Sequence, residues 1–338
     1  MVRREFAIVS SPPCRRVPAD CDSERMNAMR RGGGIAAVLI GALTVSGCGA
    51  AEQGGTGTAG ASARPATAAA GQPAGQSAQP AVQVNRSYWY AGFKVTLGTA
   101  RLSSENSGDG ESRVVTIDAT FQNLSPGRAA APSGELLLTS GADSYDEPAR
   151  EQAELPEVPA RRSRTGVIAI EVDDRFDLTD AVLTVGEPQS RQAVVPLARP
   201  DGLISLEPRP FAIRGRAYPE GRKDVFVTLT GGEVRADDAA SHAQAPAGQE
   251  YVLISFSATN SGPAGMTYVF DRDLVLVLPD GTKAGNAGSC SRAQVHVQPN
   301  ATVTPDGPAC FAVPTPAAGA YRFVWDNKDS AGLRFSIG

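Results

Sequence analysis

Residues 114–123 read VVTIDATFQN, and residues 251–260 read YVLISFSATN. Apolar residues take every second position in both stretches: Val115, Ile117, Ala119 and Phe121 in the first, and Val252, Ile254, Phe256 and Ala258 in the second. This alternation is typical of a β-strand with one buried face. Both stretches end in Asn followed by turn-forming residues, so they predict equivalent strands of a duplicated unit. The last two inward positions exchange a small and a large residue, which keeps the core volume nearly constant.

Other short apolar segments surround each stretch, and Gly, Pro, Asn and Asp separate them. They are residues 93–97, 136–138, 167–170, 182–185 and 194–197 in the first half, and 225–229, 274–278, 321–325 and 333–337 in the second. No long helical pattern interrupts them. Many short strands with frequent turn signals predict an all-β protein of two tandem β-sandwiches, at residues 85–200 and 201–338. The boundary between the two domains is expected within residues 198–210, which are rich in Pro and Gly.

The order of these segments resembles the telokin-like, immunoglobulin-like domains of bacterial lipoproteins and secreted antigens. The resemblance rests on a strand, a long strand ending in Asn, and an apolar strand followed by Pro279, Asp280 and Gly281. It covers both halves, although the first has Ser140, Gly141 and Asp143 in place of the Asp-Gly turn. It implies immunoglobulin-like sandwiches outside the cytoplasm and no catalytic residues.

The segment before Cys48 has the features of a lipoprotein signal. Arg30 and Arg31 precede an apolar run at residues 35–45, which is too short for the ~20 apolar residues of a membrane span. Residues 45–48 read VSGC and resemble the lipobox, so cleavage is expected between Gly47 and Cys48, with two acyl chains on the Cys48 sulfur. The alternative is an ordinary secretory signal with a chance cysteine.

The regions on either side of this signal are expected to lack a fold. Residues 1–25 carry acidic residues and the pair Pro12 and Pro13, which do not suit a signal, so translation is expected to start at Met26 or Met29; a real cytoplasmic extension is the alternative. Residues 1–47 are thus assigned to the upstream segment and signal. Residues 48–84 are rich in Ala, Gly, Ser and Pro and predict a disordered linker.

Two cysteines remain in the predicted folded region. An exported domain with one remaining pair favours a disulfide between Cys290 and Cys310. Two free thiols or a metal pair are the alternatives, although the chain offers only two histidines as further ligands.

Charge and composition argue against nucleic-acid binding. The net charge is −4, and it becomes about −7 once the seven arginines and four acidic residues of residues 1–47 are removed. No polybasic patch occurs, so membrane attachment is expected through lipid rather than through charge. Lysine is rare beside arginine, alanine and glycine, a bias associated with GC-rich bacteria such as actinomycetes.

Few residues suggest chemistry. His242 lies in a polar segment and is expected to be a solvated loop residue, and His296 is expected to point outward from a strand. A catalytic triad needs an orienting acid and a nucleophile beside the histidine. Residues 237–242 read DDAASH, but this composition is that of a solvated loop, so no triad is expected there. The acidic groups Asp109 with Glu111, residues 173–177, and Asp271 with Asp273 lack the spacing of a calcium loop and are expected to form solvated turns. No metal or cofactor is expected.

Tyr88, Trp89 and Tyr90 form the chain's aromatic cluster at the start of the first sandwich. Packing on their own domain is the favoured interpretation, because aromatic side chains bury a large apolar area. A binding surface for carbohydrate or peptide is the alternative.

Together these patterns predict a monomeric, non-enzymatic binding or scaffold protein, anchored on the extracytoplasmic face of the membrane through Cys48. An envelope protein or a wall polymer is the expected partner. The alternative is an accessory or solute-sensing subunit of a transporter or receptor, which would need an apolar pocket between the two domains.

Overall fold

Strands joined by turns make up the fold in the computed structural model. The structure describes residues 80–107, 110–146, 148, 155–219, 221–269, 273–287, 290, 294–325 and 332–338, and every regular element in them is a β-strand. The all-β class predicted from alternation is therefore confirmed. The predictions for residues 1–79, including Gly47 and Cys48, lie outside the described residues.

The strands of the first half are β1 (Ala81–Tyr90), β2 (Phe93–Ser107), β3 (Gly110–Asn123), β4 (Leu136–Ser140), β5 (Asp143–Tyr145), β6 (Ser163–Val172), β7 (Val182–Val185) and β8 (Ala193–Pro196). Those of the second half are β9 (Arg209–Phe211), β10 (Gly215–Ala217), β11 (Val225–Arg235), β12 (Asp237–Asp238), β13 (Ala243–Gln244), β14 (Gln249–Asn260), β15 (Met266–Val269), β16 (Leu274–Val277), β17 (Lys283–Gly285), β18 (Gln294–Val297), β19 (Ala301–Val303), β20 (Ala309–Pro314), β21 (Gly319–Trp325) and β22 (Leu333–Ile337).

The two halves repeat one antiparallel topology, and we call them repeat 1 and repeat 2. In repeat 1 one sheet has the order β1-β2-β3-β6 and the other β5-β4-β7-β8. In repeat 2, β11 and β14 stand in place of β2 and β3, flanked by β9 and β10 on one side and by β19 and β20 on the other. The other sheet, β17-β16-β21-β22, matches β5-β4-β7-β8 strand for strand. The internal similarity seen in the sequence is thus a similarity of strand order.

Register and burial agree with the alternation that predicted these strands. Phe93 pairs with Asn123, and Val225 pairs with Asn260 at the equivalent place. The predicted inward residues of β3 and β14 are all at most 4% exposed. Buried apolar residues form one large cluster between Val84 and Leu197 and another between Ile213 and Ile337. Each sandwich therefore has its own hydrophobic core.

An asparagine at the end of the central strand fixes the following turn in each repeat. Asn123 is fully buried, donates from Nδ2 to the carbonyl oxygens of Arg128 and Val158, and accepts from the Ser125 amide. Asn260, also fully buried, donates to two carbonyl oxygens and accepts from an amide in the same pattern, with Ala264, Val297 and Gly262 as its partners. Because buried main-chain groups need partners, this amide explains why both stretches end in Asn.

The first strand starts earlier than the sequence suggested. β1 begins at Ala81, inside the predicted linker of residues 48–84, and Val84 is 3% exposed. Val82 and Val84 alternate toward the core, and Val82 pairs with Ala100 on β2. Two inward valines suffice to extend the strand because β2 offers a long partner.

Candidate functional site

A two-residue turn of repeat 1 lies against a hairpin of repeat 2. Ala91 and Gly92 join β1 to β2 with φ angles of 45° and 80°, the pair of positive values that a tight hairpin turn of type I′ requires. All described residues belong to one compact unit, so this contact lies within a single body. The strands β12 and β13 form the hairpin that receives the turn. We call this contact the joint.

Three side chains of the hairpin hold the main chain of the turn. The Ala91 amide donates to Oε1 of Gln244 over 2.9 Å, and the Gly92 amide donates to Oδ2 of Asp237 over 2.6 Å. Nδ1 of His242 lies 2.9 Å from the Ala91 carbonyl oxygen. Because a carbonyl oxygen only accepts, Nδ1 carries the hydrogen and donates it. All these hydrogen bonds connect the two repeats.

Glycine is required in the turn for a steric reason as well as a conformational one. A Cβ on Gly92 would lie 2.7 Å from Nδ1 of His242 and 3.2 Å from the Cα of Ala239. The close approach lets the His242 ring pack 5.4 Å from the ring of Phe93, at the start of β2. Any larger residue would push the hairpin away from the turn.

The carboxylate at the joint is buried and paired. Asp237 is 1% exposed and accepts from Nε of Arg235 over 2.8 Å through its other oxygen. Arg235 also lies 3.4 Å from Glu233 at the rim. Burial opposes the charge of Arg235, but the two carboxylates outweigh it and raise the pKa of the guanidinium. Asp237 therefore serves both an ion pair and the main chain of the other repeat.

A second part of the joint resembles strand pairing. The amide of Arg191 donates to the carbonyl oxygen of Ala245, and the amide of Ala247 donates to that of Gln189, both over 2.8 Å. Nε2 of Gln244 donates to the Arg191 carbonyl oxygen. Main-chain hydrogen bonds on both sides of residue 190 thus attach the β7–β8 connection of repeat 1 to the segment that directly follows the hairpin.

Glu250 connects the same region to β9 and to the β20–β21 connection of repeat 2. Its carboxylate lies 3.4 Å from Arg191 and 3.1 Å from Arg209, and it accepts from the Ala317 amide over 2.8 Å. Glu250 is 9% exposed, so these partners compensate a largely buried charge. The carboxylate is neutralised within the structure by two arginines.

The sequence expectation for His242 was wrong. The residue is half-buried, with φ of 60°, and contacts Ala91 and Phe93 of the other repeat rather than solvent alone. Its Nε2 is buried and has no hydrogen-bond partner among the described residues. In a catalytic triad, Nδ1 of the histidine is hydrogen-bonded to an acid and Nε2 to the nucleophile. Nδ1 of His242 is instead hydrogen-bonded to the main-chain carbonyl of Ala91, so the geometry is that of a structural contact.

The second histidine and the two cysteines of the folded region lie as the sequence predicted. His296 is exposed on β18, as its outward alternation predicted. Cys290 and Cys310 have their sulfur atoms at disulfide bonding distance, with Cα atoms 6.0 Å apart, which agrees with the predicted pairing. Both are buried and belong to a small separate cluster with Ala245, Tyr251 and Leu253.

The aromatic cluster divides between the core and the surface. Tyr88 and Tyr90 are 3% and 7% exposed, as the packing interpretation predicts, and burial raises the pKa of the Tyr88 phenol well above its usual value. Neither is available as a binding surface. Trp89 is half-buried on the opposite face, with the ammonium nitrogen of Lys94 5.0 Å from its ring centroid.

The carboxylates of Asp173 and Asp177, in the acidic turn of repeat 1, accept hydrogen bonds from neighbouring residues. Asp173 accepts from the Tyr145 hydroxyl over 2.7 Å and pairs with Arg175 over 2.7 Å. These hydrogen bonds lower the pKa of Asp173 to about 2. Asp177 accepts from the amide and hydroxyl of Thr179, as expected of a turn residue. The described residues contain no group of three side chains suited to a metal ion, and Asp109 and Asp271 lie outside them.

Comparisons with protein-family models, with curated proteins and with solved structures found no match. The resemblance to telokin-like lipoprotein domains therefore stays a prediction from the sequence. Within the described residues, no helix is long and apolar enough to cross a membrane.

Proposed function

We propose that this protein is a lipid-anchored, extracytoplasmic binding or scaffold protein of a bacterial envelope, and that it acts without catalysing a reaction. The signal-like residues 30–48 support the anchor, with Cys48 as the acyl acceptor. The Cys290–Cys310 pair supports an oxidising compartment, because disulfides persist mainly outside the cytoplasm. The partner is an envelope protein or a wall polymer.

The observation that carries this proposal is the joint. Hydrogen bonds between main-chain groups and the side chains of the buried Asp237 and the half-buried His242 and Gln244 hold repeat 1 and repeat 2 together. Interfaces between domains usually permit relative motion unless they are extensive and well packed. A fixed joint keeps the outer surfaces of two sandwiches at one spacing and orientation, which suits a scaffold that binds an extended partner at two places.

The anchor is tested first by fractionating cells that make the full chain or its Cys48→Ser variant. The full chain is expected in the membrane fraction, and the variant in the aqueous fraction, because two acyl chains contribute about 0.8 kcal/mol per buried CH₂. The same cells are also treated with an impermeant amine-reactive label, which should reach the protein from outside. Membrane association that survives Cys48→Ser, or protection from the label, would contradict the proposal.

The binding role is tested by crosslinking in intact cells, with the lipidated chain as bait and Cys48→Ser as the control for location. A Gly92→Val variant serves as a second control, because its side chain would collide with His242 and loosen the joint. A partner crosslinked to both repeats in the native chain, and to only one repeat in Gly92→Val, is the expected result. A partner set that is identical for all three proteins would oppose the scaffold role.

A further inference from the structure

The outer faces of the two repeats carry the same irregularity. The pairing of β2 with β3 shifts register between Leu97 and Ala100, and that of β11 with β14 shifts between Leu229 and Gly231. Glycine lies within or beside each shift, at Gly98 in repeat 1 and at Gly231 in repeat 2. A bulge bends the strand locally, and glycine removes the side chain that would otherwise fill the bend.

An open depression lies beside each bulge. Its volume is about 440 Å³ in repeat 1 and about 420 Å³ in repeat 2. Both values fall within the ~300–1,000 Å³ range of small-molecule sites. The depressions lie at equivalent places: Asp118 and Ser255 take the same position on the central strands. Val167 pairs with Asp118 in repeat 1, and Pro308, which directly precedes β20, lines the depression in repeat 2. The duplication has therefore kept a surface feature that the cores do not need.

The linings share one chemistry. In repeat 1 the hydroxyl groups of Thr96, Thr120 and Thr165 form a row across three strands, since these residues are register partners. Asp118 adds a carboxylate, and Val167, 46% exposed, adds an apolar wall. In repeat 2 the lining contains two hydroxyl groups, a carboxylate and two prolines: Thr230, Ser255, Glu233, Pro210 and Pro308.

The charges at both depressions are balanced. Asp118 is paired with Arg101 over 2.8 Å, and Glu233 lies 3.4 Å from Arg235. An anionic ligand such as a phosphate would meet these carboxylates and find each arginine already engaged. The Thr96 hydroxyl already bonds the Ser87 hydroxyl, but a purely apolar ligand would cover the hydroxyls of Thr120 and Thr165 without offering them a hydrogen bond. A neutral molecule with many hydroxyl groups and a partly apolar C–H face meets both the polar row and the apolar wall.

We propose that the two depressions are binding sites for a neutral polysaccharide, one chain of which contacts both repeats. A site repeated within one compact unit matches a ligand whose own units repeat, because the second contact becomes intramolecular once the first has formed. This inference rests on the proposed binding function and names the ligand class for it. The sites are open and shallow, so each one alone is expected to bind weakly.

The test is native affinity electrophoresis of the full chain carrying Cys48→Ser in gels containing dextran, mannan or galactan. Retardation by at least one polymer is expected. Thr120→Arg in repeat 1 and Ser255→Arg in repeat 2 place a long side chain in one depression each. Each should weaken binding about 100-fold, since loss of one of two linked contacts removes a factor of ~10²–10⁴, and the double variant should not be retarded.

Matched controls place the same side chain outside the depressions. Gln122→Arg lies on β3 and Thr302→Arg on β19, both exposed on the same outer faces. They should be retarded like the parent chain, and thermal unfolding should show that all variants remain folded. Absence of retardation by all three polymers would overturn this inference but not the anchoring or crosslinking results. Equal retardation of the blocked and control variants would also overturn it.

Discussion

Repeat 1 and repeat 2 share a strand order but differ in the connection between their two central strands. In repeat 1, β2 leads into β3 with Ser107 paired to Gly110. In repeat 2, residues 236–248 separate β11 from β14 and contain the hairpin of β12 and β13. The shared parts, including Asn123 and Asn260, stabilise each sandwich. The connection that differs, residues 236–248, forms the hydrogen bonds to Ala91 and Gly92 of repeat 1. The longer connection therefore joins two similar domains into one compact unit.

A second difference concerns the cysteines. Cys310 on β20 pairs in register with Leu253, and Ala169 takes the equivalent place beside Thr116 in repeat 1. Repeat 1 thus has a buried alanine at this position of the sheet. In repeat 2 the disulfide attaches residue 290 of the β17–β18 connection to the sheet. Repeat 2 therefore has a covalent attachment at a position where repeat 1 has an alanine.

Removal of the joint carboxylate should have the largest effect. Asp237→Ala leaves the Arg235 guanidinium and the Gly92 amide buried without their partner. Breaking a buried ion pair on one side typically costs ~3–5 kcal/mol, so we expect the free energy of unfolding to fall by about 4 kcal/mol. Urea unfolding followed by tryptophan fluorescence measures it.

The neighbouring Glu233→Ala is the matched control for Asp237→Ala. It removes a second acid from the same arginine, but that side chain is 38% exposed and 3.4 Å away. Exposed pairs contribute roughly 0–1 kcal/mol, so a small loss is expected. Equal losses of stability in the two variants would contradict the burial of the Asp237–Arg235 ion pair at the joint.

Replacement of the buried asparagines tests whether the repeats are stabilised in the same way. Asn123→Ala and Asn260→Ala each remove three hydrogen bonds to buried main-chain groups. Each unsatisfied buried group costs about 1–3 kcal/mol, and partial hydration of the turn lowers the total to about 3 kcal/mol per variant. Gln122→Ala, an exposed neighbour on β3, should change stability by less than about 0.5 kcal/mol. A large effect in only one repeat would contradict the proposed equivalence.

Loss of the disulfide should affect repeat 2 alone. Cys290 and Cys310 are 20 residues apart, and closing a loop of that size contributes roughly 3 kcal/mol in the chain-entropy model. A Cys290→Ala, Cys310→Ala double variant should lose that amount in urea unfolding. Hydrogen exchange should increase in β20 and the β17–β18 connection, with repeat 1 unchanged. Full thiol labelling of the folded native chain would show instead that the cysteines are not paired.

The sequence predicted what depends on local pattern. Alternation located the central strands, the matching ends of residues 114–123 and 251–260 revealed the duplication, and compartment reasoning paired Cys290 with Cys310. Such features depend on neighbours two residues apart or on residue types that have few other uses.

The joint could not be predicted from the sequence because its partners are main-chain groups far along the chain. His242 and Asp237 bind residues 151 and 145 positions away, and a main-chain carbonyl or amide has no sequence signature. Short polar segments of this kind are typical of solvated loops. The one available signal was the unequal length of the two central connections, which appears only after the repeats are aligned.

The acidic turn after β6 provides the smallest difference between the repeats. Asp173 of repeat 1 binds Tyr145 and Arg175, whereas the equivalent strand of repeat 2 ends in Pro314. The pKa of Asp173 is lowered from 3.8 to about 2 by these hydrogen bonds, so folding favours its charged form. Its contribution is therefore fully present above pH 3.8 and is lost as the pH falls toward 2.

Asp173→Asn should accordingly be less stable than the native chain at pH 7, and the difference should shrink as the pH falls to 2, where about half of the carboxyl is still charged, and vanish below it. Tyr145→Phe removes the first of the hydrogen bonds, so the carboxyl pKa of Asp173, followed by NMR, should rise toward its ordinary value. Asp174→Asn, an exposed neighbour, is the control. A stability difference for Asp173→Asn that stayed constant between pH 7 and pH 2 would mean that packing, rather than charge, gives this turn its role. Repeat 1 would then resemble repeat 2 in its response to acid.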